Sequence, residues 1–163
     1  TGTAVLNYRG HGSIPSWTGN VREDGRPLLN ADDFNFWFNI GQPTIILSAD
    51  CLDGYFAYPG ELALSESFMK LDNVGTVAHW SSTGLGFTFE HTVLHGAFYQ
   101  GIFNQNLPRI GDAINYSKTV YDGFDLSDSE LYAFTLQGDP AMSVFSFSNL
   151  YPFQLYLPSV IKQ

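Results

Sequence analysis

The sequence predicts an α/β fold, a mostly parallel sheet with helices on both faces. Apolar, strand-like runs at Thr3–Tyr8, Thr44–Asp50 and Gly75–Trp80 each end in a loop rich in glycine or serine. Segments of helical period lie between and after them. Strands and helices alternate along the chain, as crossovers between parallel strands require. The 163 residues suit one domain with a real core, and 44% hydrophobic content excludes disorder as a description of the whole. A net charge of −9, with the acids scattered, argues against a nucleic-acid partner, which needs a basic face. No apolar run approaches the roughly 20 residues of a membrane span. The single cysteine leaves the redox compartment unread.

The first strand gives way at Arg9-Gly10-His11-Gly12-Ser13 to a polar, turn-rich stretch that reaches Pro27. Asn30-Ala31-Asp32-Asp33 reads as a helix start, with Asn30 as N-cap and two carboxylates at the positive end of the helix dipole. That helix is expected to turn Phe34, Trp37 and Phe38 inward and to stop at Gly41-Gln42-Pro43. After the second strand, Leu64, Phe68 and Leu71 follow helical spacing. Phe89, Val93, Ala97 and Ile102 share one side of a longer helix, and Ile110, Ala113, Ile114, Ser117 and Val120 mark another. A third helix is expected from Asp125 through Leu131–Leu136, ended by Gly138-Asp139-Pro140. Met142–Phe147 and Gln154–Ile161 read as closing strands, the last at an edge because of Pro152 and Pro158. The chain opens within two residues of a strand and reads as the C-terminal portion of a longer domain. Residues 1–148 form that portion and 149–163 an edge strand or tail.

Two strands end in reactive residue types, His11 after the first and Cys51 after the second. Sites of open α/β sheets gather beyond the carboxyl ends of the strands, so the two can meet there. A thiolate nucleophile needs a histidine to manage protons and backbone N–H groups to stabilise an oxyanion. Glycines on both sides of His11 leave it uncrowded, and a Gly12 N–H can approach a substrate oxygen closely. The alternatives are a buried inert thiol and an exposed turn histidine. Ser81, Ser82, Thr83 and Gly84 read as a loop that lines the cleft and pairs with an extended substrate backbone, or as an ordinary strand-to-helix turn. Asp50 precedes the cysteine, and strand alternation is expected to send the two side chains to opposite faces.

Other candidates are weaker. His91 and His95, with Glu90, lack the order of a zinc helix and a third ligand. His79 reads as packed within its strand. Asp122, Asp125 and Asp128 are an acidic loop that calcium would suit, but the glycine and glutamate of an EF-hand are missing, so no cofactor or metal is expected.

The block Asn7-Tyr8-Arg9-Gly10-His11-Gly12-Ser13, with Trp17 after it, and the run Ser48-Ala49-Asp50-Cys51-Leu52-Asp53-Gly54-Tyr55-Phe56 resemble the gingipain family of clan CD cysteine peptidases. Members carry Asn-Tyr-x-Gly-His-Gly-Ser, then a strand ending in the nucleophilic cysteine with a phenylalanine five residues on. Pro59-Gly60-Glu61, the Ser81-Ser82 loop and Leu136-Gln137-Gly138-Asp139-Pro140 look like further family blocks in the same order. The resemblance implies a caspase-like three-layer fold lacking its N-terminal part, with His11 as catalytic histidine and Cys51 as nucleophile. It also implies the N–H groups of Gly12 and Cys51 as oxyanion hole, protein or peptide substrates, and a secreted or surface location. The family's acid near the histidine lies upstream of this sequence, so the residue that orients His11 stays open. A catalytically silent binding module and a transpeptidase are the competing readings on the same fold.

Overall fold

A computed structural model describes residues 3–144. Its main sheet has four strands: β1 (Val5–Arg9), β5 (Thr44–Ala49), β6 (Thr76–Ser82) and β7 (Phe134–Gly138), side by side in that order. β1, β5 and β6 run parallel, while β7 is antiparallel to β6. β2 (Gly12–Ser13), β3 (Ser16–Val21) and β4 (Pro27–Asn30) form a small antiparallel sheet between β1 and β5 in the chain.

All six residues of β5 are buried, as expected of a strand covered on both faces. Side-chain alternation then divides its residues between two cores. Ile45 and Leu47 pack with Ala78 and Trp80 against α2 (Thr88–Phe103) and α3 (Ile110–Asp122). Ile46 packs on the opposite face with Tyr8, Trp17 and α1 (Leu64–Met69), whose Leu64 and Phe68 are fully buried. A short α4 (Ser129–Ala133) precedes β7. The result is the three-layer arrangement that the strand and helix order implies.

Several local expectations need correction. The stretch read as turns up to Pro27 is the β2–β3–β4 sheet, in which Gly12 pairs with Trp17 and Trp17 with Leu29. Asn30 does cap a helix, and Asp33 closes a capping box, but the helix is a 3-10 turn over Ala31–Phe36. Only Trp37 of the expected apolar trio packs inward, tilted on Phe68 at 4.6 Å; Phe34 and Phe38 are exposed. The helix ends at Phe36 and Trp37 is already extended at φ −85°, ψ 119°, so the three residues do not share one helical face. Phe89 also lies exposed on the first turn of α2.

The helix expected to run through Leu136 stops at Ala133, and the next five residues become β7. Gly138 ends that strand at φ +138°, where a Cβ would come within 2.9 Å of Ala78 Cα, so a glycine is required for strand closure. Among Met142–Phe147, Ser143 bridges Arg109; Phe145–Phe147 and Gln154–Ile161 lie outside the described residues.

Candidate active site

The register of β1 on β5 brings the two reactive segments together. The strands pair residue n with residue n + 40, from Val5↔Ile45 to Arg9↔Ala49. The ladder continues with Gly10 N donating to Ala49 O at 3.3 Å, so His11 and Cys51 each leave the sheet two residues past its last pair. The Gly12 backbone then lies on the cysteine segment. A Cβ at residue 12 would fall 2.5 Å from the Cys51 carbonyl oxygen and 2.6 Å from Asp50 Cγ. Only glycine permits this approach.

The histidine loop is held by its own carbonyl. His11 O accepts from Thr18 N at 2.7 Å, Gly19 N at 3.0 Å and the Tyr8 hydroxyl at 2.9 Å. Tyr8 stacks on Trp17 with ring centroids 4.2 Å apart. These contacts fix the backbone while the His11 side chain stays exposed.

The cysteine turn is tied on several sides. Leu52 N donates to Gly84 O at 3.1 Å, Gly54 N to Ser82 O at 3.1 Å, and Ser65 N to Asp53 O at 3.1 Å. Gln137 Nε2 reaches Ser65 Oγ at 2.8 Å and Gly54 O at 3.3 Å. Leu52 adopts φ +68°, a conformation that costs a branched side chain about 1–2 kcal/mol. A conformation of this kind persists only where the surrounding contacts hold it. The Cys51 thiol is half-buried, and its Sγ lies 3.8 Å from Gly86 O.

Ser81 and Ser82 lie under this turn, with side chains buried. Ser82 Oγ is exchanged with the Gly84 backbone, and Thr83 N and Oγ1 both donate to Ala133 O. Leu85 and Phe87, each 75% exposed, flank the Gly86 that touches the thiol. In the sequence they are two apolar residues around a glycine, just after a strand end.

A buried polar group sits beneath the site on the α1 face. Trp17 Nε1 donates to Ser48 Oγ at 2.9 Å and to Asp53 Oδ2 at 3.0 Å, and His79 Nε2 lies 3.4 Å from the same oxygen. Asp50, Asp53 and His79 are all wholly buried. Burial, then the Asp53 charge, pushes the Asp50 carboxyl up to about 11, with the Cys51 thiol a smaller influence. Burial also acts to raise Asp53. The His79 hydrogen bond and charge outweigh it, aided by Asp50 and Ser48, and hold Asp53 below the ordinary carboxylate value. His79 thus packs within its strand, as expected, but against a carboxylate.

The opposite face holds a second group. His91 Nε2 is 3.4 Å from Glu130 Oε2, and Gly86 lies on this pair so closely that a Cβ would strike both side chains. His95 pairs with Asn7 Oδ1 at 3.2 Å and stacks on Trp80. Burial, with His91 beside it, drives the His95 imidazole down to about 3. Both α2 histidines therefore have partners within the fold. Among the described residues, no three or more His, Cys, Asp or Glu side chains are placed to hold a metal, and no helix is long and apolar enough to cross a membrane. Asp122 closes α3, and Asp125 and Asp128 follow it before α4; all three are exposed.

A family model described as peptidase family C25 matches residues 1–145. No curated protein matches the chain. The crystal structure of the Arg-specific cysteine proteinase gingipain R (RgpB) is similar at a TM-score of 0.75 and 21% identity, over 87% of this chain and 33% of that one. The complex of Porphyromonas gingivalis RgpB pro- and mature domains gives 0.75 and 22%, over 87% and 34%. A further protease structure gives 0.70 and 17%, over 87% and 35%. The chain spans about a third of the length of each solved structure.

Proposed function

Because the chain belongs to peptidase family C25, we propose that it carries the nucleophile and the histidine of a cysteine endopeptidase acting on extended protein or peptide segments. The Cys51 thiol gives its proton to His11, and the sulfur attacks the scissile carbonyl. His11 protonates the leaving amine and then deprotonates the water that hydrolyses the thioester. The N–H groups of Gly12 and Cys51 receive the oxyanion. Ser81–Gly84 supports the cleft, and Leu85 and Phe87 rise as its wall. The enzyme works outside the cell or at its surface.

The observation that carries this reading is the n + 40 register, which delivers His11 and Cys51 to the same sheet end with Gly12 against the Cys51 carbonyl. A buried inert thiol would need no such convergence. The test is cleavage of a panel of denatured proteins by the full-length protein, with an added amine acceptor in parallel. Cleavage that disappears in both Cys51→Ala and His11→Ala is expected. Undiminished cleavage in Cys51→Ala overturns the assignment; transfer to the amine in place of hydrolysis makes the enzyme a transpeptidase.

A further inference from the structure

Asp50 and Asp53 flank Cys51-Leu52, and both are fully buried. Asp50 Oδ1, Asp50 Oδ2 and Asp53 Oδ1 have no hydrogen-bond donor in the structure. Ionised carboxylates are acceptors only, so two neighbouring ones in the interior repel and leave their oxygens unmet. The two carboxyls lie within hydrogen-bonding reach of each other, so one proton would change this: with Asp50 protonated, one carboxyl becomes a donor and the other its acceptor.

We propose that Asp50 and Asp53 form a carboxyl pair sharing one proton, and that this pair is a clamp positioning the Cys51 turn against the histidine loop. The proposal rests on the cysteine-peptidase reading. The clamp closes across the nucleophile from both sides, and the short span between its ends holds Leu52 at φ +68°. Asp53 passes the restraint on through Trp17, whose strand partner is Gly12. Asp50 passes it directly, because Gly12 lies against its carboxyl. Both restraints converge on Gly12, the residue after the histidine.

The surroundings favour one negative charge on the pair. The titratable groups facing it are Tyr8 from β1, Cys51 on the same turn, His79 from β6 and, at longer range, His95 from α2. Neither arginine nor lysine is among them, and Asp53 already takes the Trp17 and Ser48 contacts and the His79 imidazole. Asp50 remains the member that keeps the proton, consistent with its raised carboxyl.

Asp50 and Asp53 are positioning residues, since neither is placed to touch substrate. The test uses the full-length protein and its Asp50→Ala and Asp50→Asn variants. Infrared difference spectra of the parent against Asp50→Asn should show a protonated-carboxyl band at neutral pH. The kcat of Asp50→Ala should fall about 100-fold, with KM within about threefold, as a misplaced reacting group produces. Asp50→Asn, whose amide also donates, should recover kcat to within about threefold of the parent. Absence of the band overturns the shared proton. A kcat for Asp50→Ala close to the parent's overturns the positioning role, and so does an Asp50→Asn loss as deep as that of Asp50→Ala. Should the parent cleave nothing, the peptidase reading fails by itself. The band then still decides the pair, and an unchanged rate of Cys51 alkylation in Asp50→Ala overturns the positioning.

Discussion

Trp17 Nε1 donates to Asp53 Oδ2 at 3.0 Å across 36 positions of sequence, and by this bond the hairpin after His11 is fastened to the turn after Cys51. Trp17→Phe removes the bonds to both Asp53 and Ser48 and leaves a small void on Tyr8. A loss of about 2–4 kcal/mol is expected in urea unfolding. Turnover measured well below the unfolding midpoint should still be reduced, because the two reactive loops lose their common tie. Unchanged turnover in the folded variant contradicts this coupling.

Gly12→Ala tests the close approach. The new methyl would sit 2.5 Å from the Cys51 carbonyl oxygen and against the Asp50 carboxyl, so one of the two loops must move. Overpacking of this kind costs about 1–3 kcal/mol. Activity is expected to drop by about 100-fold or more, because the displaced group is itself a proposed oxyanion donor. A variant that keeps parental kcat removes Gly12 from the oxyanion hole.

Stability against pH separates the two buried groups. His95 binds a proton near 6.5 when unfolded and only near about 3 when folded, so its contribution is complete above 6.5 and is lost as pH falls toward 3. Asp50 has the opposite sign. Its carboxyl rises from 3.8 to about 11 on folding, so the folded state keeps a proton that the unfolded chain releases, and stability declines as pH rises above 3.8. Each acts at about 1.4 kcal/mol per pH unit inside its window. Between 3.8 and 6.5 the two slopes oppose one another. Asp50→Asn removes one of them, so its stability relative to the parent should grow by about 3 kcal/mol between pH 5 and pH 7 in urea titrations. A constant difference between the proteins contradicts a protonated Asp50.

Phe87 is 75% exposed beside the glycine that meets the Cys51 sulfur. If it forms the cleft wall, Phe87→Ser raises KM about tenfold and leaves the unfolding free energy within about 0.5 kcal/mol of the parent's. A change in stability without a change in KM would make Phe87 a packing residue.

Much of this architecture was legible because apolar runs leave few choices. Thr44–Ala49 is a short run without a charged residue, with Ile45 and Leu47 on one face and Ile46 on the other, so it reads as an interior strand whose apolar residues serve different layers. That the His11 and Cys51 segments leave the sheet at the same end was legible because each follows such a run. The hairpin sheet around Trp17 was not, since Ser13, Thr18, Gly19 and Asn20 are small or polar and resemble a loop. β7 was hidden because Leu131–Leu136 also satisfies a helical period, and pairing with β6 decided the outcome. The Asp50–Asp53–His79 group was hidden for a different reason. Acids near a turn ordinarily face water, and only the packing of β6, α1 and the hairpin over them shows that these do not.

The most direct measurement is covalent capture of the nucleophile. The full-length protein is treated with a peptidyl acyloxymethyl ketone, a reagent that alkylates an activated thiol from a bound, substrate-like pose, and the adduct is mapped by peptide mass spectrometry. One adduct on Cys51, formed at least about ten times more slowly in His11→Ala, is the predicted result. Failure to label Cys51, or labelling at the same rate without the imidazole, contradicts the dyad.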